Sequence, residues 1–406
     1  MNLSLYIAQR LTSKISHSIT RRIVRIASVS VAISIAVMLL AIGIVKGFQK
    51  EIKQKATGFS GHLIIKNLDL NHSGELVLFP KEQSFLKTVQ QFSYVKAVFP
   101  VCQKPGILRT LTDAEGIQCK GVPPGYGRVF MDQEIVRGRG LGNHDSIEVN
   151  EVLISEVTAN RLKLDTGQSV ELYFIQEGQV RRRKPKICGI FNTGINEIDK
   201  QWMLVDIRMI QRIYTQGYDS INGFEVFLTS LDNLAERTHA INEELLTTLV
   251  AQSVDESYFQ IFQWLSLLDM NVTIIIILMV IVAVVNMMTA LLVLIIDRTP
   301  MIGLLKALGG RNQLIRQSFL YSGAKYLLSG LILGNCIGLG LGFLQHFAGL
   351  VKLEESTYYL SKVPFSITLA DALMINGLTF GVCLILLIIP AMYVARIQPV
   401  KAIRFN

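Results

Sequence analysis

Two stretches of this sequence have residue types and spacing suited to binding chemistry. The first is DRTPMIGLLKALGGRNQLIRQSF, residues 297–319. Pro300 suits the first turn of a helix, and Gly309-Gly310 suits its stop. Between them Met301, Ile302, Leu304, Leu305 and Leu308 make a short apolar run punctuated by Lys306, with Arg311 just beyond the stop. A short helix with this much apolar surface needs a partner groove or the surface of a membrane. The second stretch is FIQEGQVRRRKPK, residues 174–186. Its Glu177-Gly178 pair is hairpin chemistry. Arg181, Arg182, Arg183, Lys184 and Lys186 give it a dense positive charge, which fits a solvated hairpin or a docking surface for an acidic partner.

Covalent and nucleotide chemistry find no such pattern. There is no G-x-x-x-x-G-K-[ST] to cradle a phosphate, no H-E-x-x-H and no G-x-S-x-G, and the six histidines are scattered without ligand spacing. No catalytic residue, metal or cofactor is therefore expected in this chain. Cys102, Cys119 and Cys188 precede the second apolar stretch, and a Cys102–Cys119 bridge is left open by their spacing.

The elements that must position these segments are apolar. Half of the 406 residues are hydrophobic, only 17% are charged, and mean hydropathy is +0.40. Four stretches lack any charged side chain: Ile26–Val45, Val272–Ile296, Leu327–Val351 and Ala372–Ala395. As helices rising about 1.5 Å per residue, each reaches the thickness of a bilayer's hydrocarbon core. The first reads as a retained helix rather than a signal peptide, because its leader is long and no small-x-small cleavage site follows. The expected order is an N-terminal helix (1–25), a first span (26–47), an outer domain (48–270), a second span (271–296), an inner loop (297–326), a third span (327–351), an outer loop (352–371), a fourth span (372–395) and a tail (396–406). Leu3, Ile7, Leu11 and Ile15 suit either an interfacial helix or an extension of the first span.

Charge orients this arrangement. Residues 1–25, 297–326 and 396–406 are strongly basic, whereas 48–270 nets −3 and 352–371 nets −1. By the positive-inside rule both termini and the 297–326 loop are cytoplasmic and the large domain lies outside. Topology thus accounts for the net +9 without any nucleic acid. No span holds an Asp, Glu, Lys or Arg, which disfavours ion-coupled transport and leaves the chain without an energy source of its own. Gly330, Gly334, Gly338 and Gly342 form a stripe for close helix approach, either a static or a sliding contact. Asn286, Asn335 and Asn376 can bond between helices, and Pro390 should kink the last span.

In the outer domain, strand-like runs fall at His62–Leu68, Val95–Val101, Ser169–Ile175, Lys186–Phe191 and Gly223–Leu228. Helical periodicity falls at Lys81–Phe92, Glu156–Leu164, Asp206–Tyr214 and Leu231–Leu249. Two strand–helix–strand units, within 48–109 and 217–257, can pair into one mixed sheet with both helices on one face, leaving 110–216 as an inserted strand-rich subdomain. The expected fold is thus an α-helical membrane protein with four transmembrane helices and a large mixed α/β extracytoplasmic domain between the first two.

The run MIGLLKALGGRNQLIRQSF resembles the coupling segment of FtsX/MacB-type ABC permeases, where I-x-x-L-K-A-L-G follows the second span. PAMYVARIQPVKAIR (Pro390–Arg404) looks like that family's closing signature. GFQKEI (Gly47–Ile52), Trp264 and GIFNTGINEIDKQWMLVDI (Gly189–Ile207) are similar to the LolC/LolE lipoprotein-releasing branch, whose pattern is G-I-F-x-T-G-x-x-E-x-D. The resemblance implies a subunit of the bacterial inner membrane in a pair of permeases, identical or paralogous, with two copies of a separate ATPase that holds ATP and Mg. It implies that Met301–Arg311 sit in a groove on that ATPase, and that nucleotide-driven closure passes through the helices to the outer domains. It further implies a lipoprotein cargo, lifted from membrane lipid and handed to a periplasmic carrier. In one paralogue a hairpin docks that carrier, and Arg181, Arg182 and Arg183 lie at a comparable place. Two other readings stay open: a MacB-like efflux permease, whose ATPase is usually fused ahead of the first span, and an FtsX-like module controlling cell-wall hydrolases, whose outer domain is usually smaller.

Overall fold

The first long helix, α1 (Ser18–Ser60), outruns the apolar stretch that announces it. Hydropathy marks where a helix crosses lipid, and the polar turns beyond it carry no such mark. The computed structural model describes residues 18–68, 77–110, 113–126, 134–142, 150–214, 219–354 and 358–393. The Leu3–Ile15 spacing and most of Pro390–Arg404 lie outside them. The described residues fall into two units. One holds the chain up to Lys50, Trp264–Lys352 and from Lys362 on; the other holds Glu51–Gln263 and Leu353–Ser361.

The second unit is the α/β domain. Its chain order begins β1 (Leu63–Asn67), β2 (Phe79–Pro80), α2 (Phe85–Gln91), β3 (Val95–Arg109), β4 (Ala114–Val122), β5 (Ile135–Gly138), β6 (Glu151–Ser155) and α3 (Glu156–Leu162). It continues with β7 (Glu171–Gln176), β8 (Gln179–Arg183), β9 (Lys186–Phe191), α4 (Asn196–Gln201), β10 (Trp202–Asp206) and α5 (Ile207–Gln211). It ends with β11 (Ser220–Ile221), β12 (Gly223–Leu228), α6 (Leu234–Glu244), β13 (Leu249–Ser253) and α7 (Val254–Ser257). The main sheet runs β13-β1-β12-β3-β4-β10-β6-β9-β5, with β7 and β8 attached to β3.

The two expected strand–helix–strand units interleave, so β13, β1, β12 and β3 are each antiparallel to their neighbours. The parallel pairs, β4 with β10 and β6 with β9, lie elsewhere in the sheet. α2 and α6 pack together and bury Phe85, Val89 and Ile241 in the domain's core with Leu63, Ile65 and Phe224. β12 is buried at all six positions, as a central strand covered on both faces must be. The run expected to end at Val101 continues as one strand to Arg109. Its first half pairs with β12 and its second with β4. Pro105-Gly106 has the composition of a turn, yet the strand passes through it because Pro105 and Gly106 stand in register with Gln118 and Ile117.

The first unit gathers α1 residues with α8 (Phe259–Asp297), α9 (Thr299–Ala307), α10 (Asn312–Ala348), α11 (Leu369–Leu386) and α12 (Ile388–Tyr393). Among the described residues, four helical segments are long and apolar enough to cross a membrane. Val31, Ile35 and Leu39 of α1 pack with Ala283, Met287 and Leu291 of α8 and with Phe319 and Leu331 of α10. The glycine stripe meets α1: a Cβ on Gly330, Gly334 or Gly338 would come within 2.6–2.9 Å of Ser28, Ala32 or Ala36 backbone. Gly342 instead faces the Phe365 ring, which also fills the notch left by Gly43; a Cβ at either glycine would stand 2.2 Å from it. Asn335 and Asn376 exchange hydrogen bonds of 2.7 and 2.9 Å, and Asn286 donates to Ser30. The last span breaks at Leu387 rather than at Pro390 itself. The proline ring removes the bond to the carbonyl four residues back, at Leu386.

Candidate functional site

In the inner loop, Pro300 sits in the first turn of α9. Gly309 (φ +86°) ends the helix in the left-handed region that glycine adopts freely. Gly309 and Gly310 donate to the carbonyls of Lys306 (3.0 Å) and Leu305 (2.9 Å). Arg311, exposed, stands at the N-terminal boundary of α10 with no side-chain capping bond to the helix. The apolar residues of α9 divide sharply. Ile302 is fully buried and Met301 and Leu305 pack partly against the membrane unit's core. Leu304 and Leu308 are 56% and 77% exposed. The sequence grouped all five as one contact surface; the structure makes Ile302 an anchor for the helix and leaves Leu304 and Leu308, one turn apart, as its outward face.

The basic stretch is a hairpin of β7 and β8 whose turn residues, Glu177 (φ 51°) and Gly178 (φ 74°), are both left-handed, as a type I′ turn requires. Strand alternation splits the three arginines. Arg181 and Arg183 stand opposite Phe174 and Leu172, while Arg182 stands opposite Tyr173 on the other face. Arg182 pairs with Glu171, whose carboxylate is held below its usual range by the Tyr173 hydroxyl and by Arg182. Arg181 donates to the Arg212 carbonyl at 3.4 Å. The single basic patch expected from sequence is therefore two smaller ones. The sequence reading missed Ile175 and Val180, a cross-strand pair beside the turn that is 64% and 66% exposed. Their place in the β alternation was the available signal.

The stretch 189–207 is organised by a buried carboxylate. Asp199 accepts from the Thr193 N–H (3.2 Å), the Thr193 hydroxyl (2.8 Å) and the Gly194 N–H (3.1 Å). Burial pushes its pKa up to about 6 against the pull of those donors. Two residues ahead of it in the chain, Glu197 accepts from Tyr359 (3.1 Å), in the segment that links the third and fourth spans. Cys102 and Cys119 are free thiols; Cys102 stands opposite Gly121 and Cys119 opposite Lys104, so no bridge joins them.

A third constellation was not singled out in the sequence. Lys120 on β4 and Glu225 on β12 are both 1% exposed and form an ion pair of 2.6 Å. Tyr126 receives a hydrogen bond from Lys120 (2.7 Å), and its single hydroxyl proton faces two acceptors, the Glu225 carboxylate and the Phe59 carbonyl (2.8 Å for the latter). Lys120 donates to the same carbonyl. Burial depresses the Lys120 ammonium and raises the Tyr126 phenol, with Glu225 opposing the first shift and reinforcing the second. A cavity of about 250 Å³ lies beside them, lined by Ser60, Gln103, Trp202 and Tyr258 among others.

Comparison with known proteins adds the following. Residues 26–236 match the MacB-like periplasmic core domain, and residues 273–399 match the FtsX-like permease C-terminal domain. The chain is 21% identical over 392 residues to the lipoprotein-releasing system transmembrane protein LolC of Xylella fastidiosa, covering 93% of this chain and 92% of that one. It is 21% identical over 419 residues to the corresponding LolE of Haemophilus influenzae, covering 99% of each. Among solved structures it is similar to the periplasmic region of MacB from Actinobacillus actinomycetemcomitans. That match has a TM-score of 0.36 and 17% identity, and covers 52% of this chain and 98% of that one.

Proposed function

The chain belongs to the FtsX/MacB family of ABC-transporter permeases, membrane proteins of bacteria with an extracytoplasmic domain, and from that premise we propose that it releases lipoproteins from the inner membrane to a periplasmic carrier. The observation that carries this reading is similarity along nearly the whole chain to permeases named for lipoprotein release. Extracting acyl chains costs about 0.8 kcal/mol per buried CH₂, so a multiply acylated protein does not leave the bilayer unaided. The work comes from ATP hydrolysed by a separate subunit, which grips α9 through Leu304 and Leu308. The permease acts in a pair, with an identical or paralogous partner. The hairpin of β7 and β8 offers the carrier an apolar tip, Ile175 and Val180, flanked by arginines. The match to the MacB-like core favours, as second reading, an efflux permease that moves soluble periplasmic substrates.

Co-purification of the tagged full chain from native membranes, with identification of bound proteins, tests the proposal. An ATPase, a permease and acylated proteins are expected. Recovery of the ATPase with no acylated protein, and no ATP-dependent release of lipoprotein from reconstituted vesicles, would overturn lipoprotein release and leave efflux.

A further inference from the structure

Buried ion pairs rarely persist for stability alone, since apolar residues of similar volume often hold a fold as well or better. Lys120, Glu225 and Tyr126 do something apolar side chains could not. Lys120 donates to the carbonyl of Phe59, in the last turn of α1, and the Tyr126 hydroxyl lies 2.8 Å from the same oxygen. Carbonyls there lack partners within the helix and carry the negative end of its dipole, so a cation and a hydroxyl both suit them. Glu225 holds the two donors in place: Lys120 as an ion pair and Tyr126 through its hydroxyl.

The chain around this clamp has no slack. α1 ends at Ser60, and only Gly61 and His62 separate it from β1. Gly61 is left-handed (φ +72°), and a Cβ on it would stand 3.2 Å from both Glu225 Cβ and the Val226 carbonyl. His62 is fixed on both sides of its backbone: its N–H donates to Val226 (2.8 Å) and its carbonyl accepts from Val254 (3.0 Å). The Ser60 and Tyr258 hydroxyls meet at 2.5 Å, tying the end of α1 to the residue just before α8. β1 lies inside the sheet, between β13 and β12. A turn or shift of α1 is thus delivered directly to an interior strand, where a flexible linker would absorb it.

We propose that Lys120, Tyr126 and Glu225 are positioning residues: they lock the end of α1 to the β1–β12 sheet as a rigid joint through which ATP-driven movement of the helix moves the outer domain. This rests on the ATP-coupled permease reading above. The joint is separate from the α9 contact that receives the motion and from the hairpin that would present the cargo's acceptor.

The test uses the assembled complex in lipid nanodiscs, with spin labels at Glu177→Cys and Leu350→Cys in a Cys336→Ser background. Two variants are compared with the parent. One inserts Gly-Gly between Gly61 and His62, adding slack without touching a side chain. The other, Lys120→Met with Glu225→Gln, removes both charges together, because Lys120→Met alone would strand a buried carboxylate and unfold the domain. ATP is expected to change the label separation in the parent. Both variants should lose roughly half or more of that change while keeping ATP hydrolysis within about twofold, as expected of an uncoupled linker. A domain that merely lost stability would lower hydrolysis and complex yield together. Variants that move as fully as the parent would overturn the joint alone. A parent that does not move with ATP would overturn both the joint and the reading it rests on.

Discussion

His62 carries a titration that its neighbours dictate. Its ring packs on Phe227 at 6.3 Å between centroids, and its Nδ1 accepts from the Leu228 N–H at 3.3 Å. Burial, with help from Arg237 and Lys96, brings its pKa down from 6.5 to about 4. A lowered pKa means that the unfolded chain binds more protons than the folded one between those values. The stability from neutral His62 is therefore complete above about pH 6.5 and is lost as pH falls toward 4, up to about 3 kcal/mol. Asp199 has the opposite slope, since its raised pKa favours the folded state on acidification. His62→Asn keeps an acceptor for Leu228 and removes the titration. Tryptophan fluorescence of denaturant unfolding at pH 7 and pH 5 should show a smaller loss for the variant than for the parent. Since Asp199 is common to both, its slope cancels in the difference, and equal losses would show that His62 is not the group responsible. Sequence alone could not have found such residues. Lys120 and Glu225 lie more than a hundred positions apart and on strands separated by β3, and a lone charge in a strand ordinarily reads as facing solvent.

At the scale of elements, Pro300 with Gly309-Gly310 located α9, and Glu177-Gly178 located the turn of the hairpin. The strand returning from that turn is β8 (Gln179–Arg183) rather than the expected run at Lys186–Phe191, which pairs elsewhere. Neither signal could say which side faces outward. Pro300 in its first turn and Gly309 just beyond its last mark the ends of α9, yet its apolar residues point both ways because the helix is itself packed on the membrane unit's core. This separates two kinds of variant. Leu304→Asp with Leu308→Asp alters only exposed positions and should abolish recovery of the ATPase in a membrane pull-down, with the permease still folded and abundant. Ile302→Ala removes a fully buried side chain and should cost about 2–5 kcal/mol of stability, so its first effect is a lower yield of permease. Undiminished ATPase recovery with the double variant would remove Leu304 and Leu308 from the coupling surface. In the hairpin the legible feature was the turn, and the illegible one was the division of Arg181, Arg182 and Arg183 between two faces, because charge density read along a sequence ignores the alternation of a strand. Similarly, β3 was read at half its length, since Pro105-Gly106 mimics a turn until β4 is seen alongside it.

For the whole molecule, the best-marked property was the division between lipid-crossing helices and a large α/β domain, because uncharged runs of bilayer length have few alternative explanations. Which side of the membrane each part occupies is predicted by a separate quantity, the distribution of Lys and Arg. The basic excess gathers in 1–25, 297–326 and 396–406, whereas 48–270 and 352–371 are slightly acidic. Cytoplasmic retention of basic loops acts on segments close to the spans, and 297–326 is short enough to obey it. Gln313, in the same 297–326 segment but outside the proposed ATPase contact, and Glu177 are exposed in their respective units, and the charge distribution predicts that Gln313→Cys and Glu177→Cys lie on opposite sides. With Cys336→Ser in both, a membrane-impermeant maleimide added to cells whose outer membrane has been opened should label the Glu177→Cys chain at once. It should reach Gln313→Cys only after the inner membrane is also lysed. The reverse pattern would place α9 outside, beyond reach of any cytoplasmic ATPase, and would remove the basis for coupling through Leu304 and Leu308.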